Sequence, residues 1–142
     1  MKAATARFAR YKNKLPHCAV VSLTLDVDSE LSRVDLACSG SGFVGQGYIE
    51  EVPLVGYDDW KEGARAGVRF ALSVAGQDRS VVTITKIEGL STDTNPTIVG
   101  AAAALATWSA LEFEPSKDVL ERIETQACSS WQLPHDAIPE FY

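Results

Sequence analysis

Residues 57–111 constrain the fold of this chain more than any other stretch. From Tyr57 to Ala75, Trp60, Ala64, Val68, Ala71 and Leu72 fall on one helical stripe, and Asp58 and Asp59 suit the positive end of such a helix. Gly63 and Gly67 lie four apart beside Ala71. Each glycine costs about 0.8–1 kcal/mol of helix propensity, so the pair predicts close packing against the sheet or a second helix. Gly76-Gln77-Asp78 reads as a C-cap and turn, and the β-branched run Val81 to Ile87 as a well-covered strand. Asn95 as N-cap and Pro96 at the first helical position then start a helix to Leu111. With Ile98, Ala101–Ala104, Leu105, Trp108 and Leu111 it is apolar over most of its circumference, which predicts the central packing element.

The N-terminal half has a period of two. Val21, Leu23, Leu25 and Val27 alternate with Ser22, Thr24 and Asp26 in a strand over Ala19–Asp28. Ser29-Glu30-Leu31-Ser32 reads as a turn, and Val34, Leu36 and Cys38 continue the alternation. So short a connection predicts an antiparallel hairpin between these two strands. A third extended segment is expected from Phe43 to Val52, with Gly45 and Gly47 marking a bulge or a twisted edge and Pro53 ending it. Ser116 caps a third helix from Lys117 to Cys128. The fold class is α+β: a mainly antiparallel sheet with two long helices on one face. Three regions follow: a basic arm over 1–17, a single domain over 18–128 and an aromatic tail over 129–142.

Charge is unevenly placed. The chain carries a net −6, yet Lys2, Arg7, Arg10, Lys12 and Lys14 stand in the first 17 residues with no acid among them. The remaining 8 basic and 19 acidic side chains leave residues 18–142 at −11. An acidic body repels phosphate, so RNA contact is expected through the basic arm only. The simpler role of the arm is a frayed or docked terminus that neutralises the body. No apolar run spans a bilayer and no apolar stretch follows the basic N-terminus, so neither a membrane span nor a signal peptide is expected. Cys18, Cys38 and Cys128 are odd in number and widely spaced, which suits a reducing cytoplasm, with Cys38 a small buried hydrophobe.

Catalytic chemistry finds little footing. His17 and His135 are the two histidines, and nothing in the spacing joins either to Cys18 or Cys128 as an activated thiol. No metal-ligand spacing and no cofactor motif is present, and the pairs Glu50-Glu51 and Asp58-Asp59 suit a solvated strand end and a helix start. The candidate recognition loop is Ser91, Thr92, Asp93, Thr94 and Asn95, a polar turn at a helix N-terminus where free backbone N–H groups gather. Its plainer role is N-capping. The tail, with Trp131, Phe141 and Tyr142, is too aromatic for water and is the candidate docking element, in cis or on a partner.

The run from Gly56 to Leu111, with Asp93-Thr94 and the alanine-rich stretch Ala101–Ala106, resembles the fourth domain of elongation factor G. The likeness covers residues 57–111 and implies a βαβ sandwich with a left-handed crossover, against the usual hand. That family's loop carries a basic or imidazole residue before its aspartate; Ser91 and Thr92 stand there instead. No G-x-x-x-x-G-K-[ST] run is present, and Gly40–Gly47 lacks the lysine of a phosphate loop. Three functions follow as expectations. The first is a non-enzymatic adaptor or assembly protein with a protein partner or self-association. The second is a stand-alone translation-factor-like domain contacting RNA or the ribosome. The third is a small-molecule enzyme with a site between sheet and loop.

Overall fold

The computed structural model of this chain describes residues 1–27 and 30–142, apart from the Gln46 side chain. Asp28 and Ser29, at the junction of the expected strand and turn, lie outside the described residues. The described strands are β1 (Lys2–Lys12), β2 (Leu15–Asp26), β3 (Arg33–Leu36), β4 (Gly42–Phe43), β5 (Ile49–Glu51) and β6 (Val81–Leu90). The helices are α1 (Asp58–Ala75), α2 (Pro96–Leu111) and α3 (Lys117–Ser129). The sheet runs β1-β2-β6-β5-β4, all antiparallel, with β3 beside β6 in parallel. The fold is therefore α+β with a mainly antiparallel sheet.

Two expectations about strands are corrected. β3 does not form a hairpin with β2: Val34 pairs with Val82 and Leu36 with Ile84, in parallel. Both edges of β2 are already filled, one by β6 and one by β1, and the chain from β3 to β6 contains all of α1, ample for a crossover. The hairpin partner of β2 is the basic N-terminal segment, paired from Lys2↔Leu25 to Lys12↔Leu15 through a tight Asn13-Lys14 turn. Both turn residues have positive φ, 53° and 61°, as a two-residue turn matched to strand twist requires. The extended segment expected from Phe43 to Val52 is instead a short hairpin, β4 and β5 joined by a 3-10 turn over Gln46–Tyr48.

One face of the sheet is buried by helices. Ala19, Val21, Leu23 and Leu25 of β2 and Val82, Ile84 and Ile87 of β6 are all at or near zero exposure. Their alternating neighbours Val20, Ser22, Thr24, Val81 and Thr83 are only half-buried. α2 lies over β1 and β2, and α1 over β3 and β6. The helices meet along the glycine ridge: Gly63 abuts the Pro96 carbonyl and Gly67 the Gly100 carbonyl, with no room for a Cβ at either position. α2 is buried on every side apart from Leu105, Ser109 and Leu111. Trp108, 2% exposed, donates its indole N–H to the Ala71 carbonyl at 3.0 Å. Asn95 accepts from the Ile98 N–H at 2.9 Å and Ser116 from the Val119 N–H at 3.3 Å, so both caps form.

The last residues return to this core. Phe141 is 1% exposed and sits 5.5 Å from Phe70, ring to ring, against the open side of Gly100. Tyr142 meets Phe70 edge-on at 5.2 Å but stays 75% exposed.

Two stability measurements check this packing. Gly67→Ala gains about 1 kcal/mol of helix propensity but drives a methyl into the α2 backbone, so denaturant titration should give a net loss of about 2 kcal/mol. A stabilised variant would mean that the helices are farther apart. Phe141→Ala should cost about 3–5 kcal/mol, and Tyr142→Ala no more than about 0.5 kcal/mol, in the same assay.

Candidate interaction surface

The polar loop before α2 is largely spent inside the fold. The Thr94 hydroxyl donates to the Cys18 carbonyl at 2.5 Å and accepts from the Leu90 N–H at 2.9 Å. The Asp93 carbonyl accepts from the Cys18 N–H at 2.8 Å. The Asn95 amide donates to Ser130 Oγ at 2.9 Å while its oxygen caps α2. Gly89 is a glycine for this reason: a Cβ there would lie 2.5 Å from Thr94 Oγ1. Thr94 and Asn95 are thus buried latch residues joining β2, β6 and the end of α3. Of the candidate recognition loop, Ser91 and Thr92 face water and Asp93 is half-buried, its carboxylate accepting from Thr92 at 2.8 Å.

Ser91 leads to a surface that sequence reasoning missed. Its N–H and hydroxyl both donate to the Tyr48 carbonyl, at 2.9 and 3.1 Å, fastening the β4–β5 turn beside the loop. The turn is tight because Gly45 and Gly47 take φ of 94° and 67°, and Val44 N–H closes it onto the Ile49 carbonyl at 2.9 Å. Tyr48 itself has φ 57°, and Phe43, Val44 and Tyr48 are 57%, 48% and 66% exposed. Beyond β5, Leu54 and Val55 are 73% and 82% exposed. That second loop is anchored at both ends: Lys61 donates to the Leu54 carbonyl at 2.9 Å and the Tyr57 hydroxyl to Glu50 Oε1 at 2.7 Å. Five large apolar side chains between residues 43 and 55 therefore stand in water on a braced backbone, the pattern of a contact surface. The signal in the sequence was the glycine spacing at 42, 45 and 47, too dense for one long strand to carry the intervening side chains into a core.

The aromatic tail residues are placed separately. Trp131 is half-buried and donates its indole N–H to the Pro16 carbonyl at 3.2 Å, beside the ring of His17. Phe141 is in the core and Tyr142 at the surface. His17 is 1% exposed; its Nε2–H donates to the Cys128 carbonyl at 3.1 Å, leaving Nδ1 as a buried acceptor with no partner among the described residues. The contact is to the carbonyl of Cys128, not its thiol. Burial, and then the Glu124 carboxylate, push the Cys128 thiol up, away from the thiolate a nucleophile needs. Cys38 is buried and its thiol is likewise raised by burial. His135 is exposed in the tail. Among the described residues no group of His, Cys, Asp and Glu is arranged to hold a metal ion, and no helix is long and apolar enough to cross a membrane. A cleft of about 480 Å³ between β3 and the C-terminal half of α1 is lined by Arg33, Val34, Arg69, Leu72, Ser73 and Asp78.

Burial, and then the bond to Glu50, push the Tyr57 hydroxyl up to about 12. The raised value in the folded state means that the stability tied to this proton is intact below the ordinary pKa of 10.0 and is lost as pH rises towards about 12. Ultraviolet difference absorbance should show a tyrosinate step near that upper value that Tyr57→Phe removes. A step unchanged in the variant would mean that the Glu50 bond does not hold the second loop.

No protein-family description matches the chain, and no curated protein does. Among solved structures it is similar to a protein of Thermus thermophilus, with a TM-score of 0.59 and 15% identity over 81% of this chain. The match takes in 16% of the Thermus chain, so the present chain corresponds to about a sixth of that protein. At this identity the likeness is one of fold.

Proposed function

We propose that this chain is a non-enzymatic adaptor or assembly protein that docks a protein partner through the β4–β5 tip. The observation that carries this reading is the exposure of Phe43, Val44 and Tyr48 on a turn held rigid by the two Ser91 bonds. A braced apolar tip loses little entropy on docking, and aromatic side chains supply the contact area that interfaces favour. Ser91 and Thr92 at its border provide a polar rim. The three free cysteines suit a cytoplasmic setting.

A second reading, a relative of the elongation factor G fourth domain that contacts RNA, draws on the order α1-β6-α2 and on Lys2, Arg7 and Lys12 standing exposed on β1. The −11 balance of residues 18–142 and the uncharged Ser91-Thr92 pair weigh against it. A salt-dependent RNA mobility shift would favour this second reading.

A photo-crosslinking amino acid placed at position 48 tests the adaptor reading in extracts of the native cell. A discrete protein adduct is expected, lost on Phe43→Ser and absent when the probe sits at exposed Lys117 on α3. The same adducts from both positions would refute docking at the tip.

A further inference from the structure

The other edge of the sheet has different chemistry. β1 is a fully regular strand of 11 residues, fixed in register with β2 along its whole length and unpaired on its outer side among the described residues. Along that outer edge the Arg10 guanidinium donates to the Ala9 carbonyl at 2.9 Å. Arg10 is also spoken for by Glu124 of α3, at 2.6 Å. Lys2, Arg7, Lys12 and, at the turn, Lys14 are exposed and make no ion pair among the described residues. The alternation of β1 divides them: Arg7 lies with Thr5 on the open face, where Thr5 meets Ser22 at 2.8 Å, and Lys2 and Lys12 share the side of buried Phe8.

We infer that the outer edge of β1 receives an acidic peptide in extended conformation, which adds to the sheet as a further strand. Apart from the Ala9 carbonyl, which Arg10 takes, the outward N–H and C=O groups of β1 have no partner strand among the described residues and match the backbone of another strand. Unpaired cations on both faces of β1 match acidic side chains on both faces of the incoming one. A second copy of this chain fits poorly. Antiparallel self-pairing about Arg7 sets Arg7 against Arg7 and Lys2 against Lys12, and no register offers an acid in residues 1–17. RNA would use the cations but leave the backbone groups without a matching ladder. The −11 balance of the rest of the chain repels an acidic peptide elsewhere and steers it to this edge.

The probe is a fluorescein-labelled octapeptide alternating valine and glutamate, followed by anisotropy and by amide hydrogen exchange of the whole chain. Saturable binding is expected, weakening with added salt, with exchange slowed within residues 2–12. The same peptide N-methylated at alternate residues keeps its charge but loses backbone donors, and should bind at least about tenfold more weakly. Lys2→Glu/Arg7→Glu/Lys12→Glu should reduce binding to a similar degree with an unchanged melting temperature, whereas Phe43→Ser/Tyr48→Ser at the opposite edge should leave it intact. The inference is overturned by no binding, by equal binding of the N-methylated peptide, or by protection outside β1. Octauridylate binding as tightly as the peptide, with protection of residues 2–12, would overturn it in favour of RNA. Because the tip variant is silent here, failure at β1 leaves the adaptor reading at the tip to be judged on its own test.

Discussion

The glycine seam between α1 and α2 is the contact on which the rest of the structure depends. At Gly63 and Gly67 the backbone of α1 rests directly on the carbonyls of Pro96 and Gly100, closer than any side chain permits. Two helices that approach at backbone distance leave no gap for long side chains, so the alanines of α2 fill the space between α1 and the sheet. Gly100 serves the seam on one side and the Phe141 ring on the other, where a Cβ would lie 3.0 Å from that ring. The seam thus sets the thickness of the helical layer, and Phe141 seals it.

A second constraint comes from buried polar groups. Residues 93–95 sit where β2, β6, α2 and α3 converge, and the buried side-chain polar groups of Thr94 and Asn95 find partners inside the fold. Orphan N–H groups at a helix start attract anions only when they remain unpaired; here Asn95 takes the Ile98 N–H. By donating twice to the Tyr48 carbonyl, Ser91 ties the apolar tip to the latch.

The two ends of the sheet manage their edges by different physics. The β1 end is long, regular and cationic, with Lys2, Arg7 and Lys12 along it. Such charges oppose pairing with copies of the same chain while leaving the edge open to an acidic one. The β4 end is two residues long and turns away through glycines, so it offers apolar side chains in place of a backbone ladder. Surfaces of opposite character therefore stand at opposite edges of one sheet.

Local interactions were legible in the sequence. The stripe and glycines of α1, the Asn95-Pro96 start of α2, the Ser116 cap and the burial of Trp108 and Cys38 each depend on residues close in the chain or on their own hydrophobicity. Partner choice among strands was not. The alternation in β1 is carried by Ala4, Ala6 and Phe8, weakly apolar against Thr5 and Arg7, and its turn uses Asn13-Lys14 with no glycine to announce it. β1 and β6 fill the two edges of β2, so β3 pairs with β6, an outcome set by segments far apart in sequence. The candidate surface divided in the same way. Polarity singled out residues 91–95, but whether a hydroxyl faces water or a buried carbonyl depends on what folds against it. The exposure of Phe43, Val44 and Tyr48 was likewise settled only in three dimensions, because an apolar side chain stays in water when the turn that carries it points away from every core.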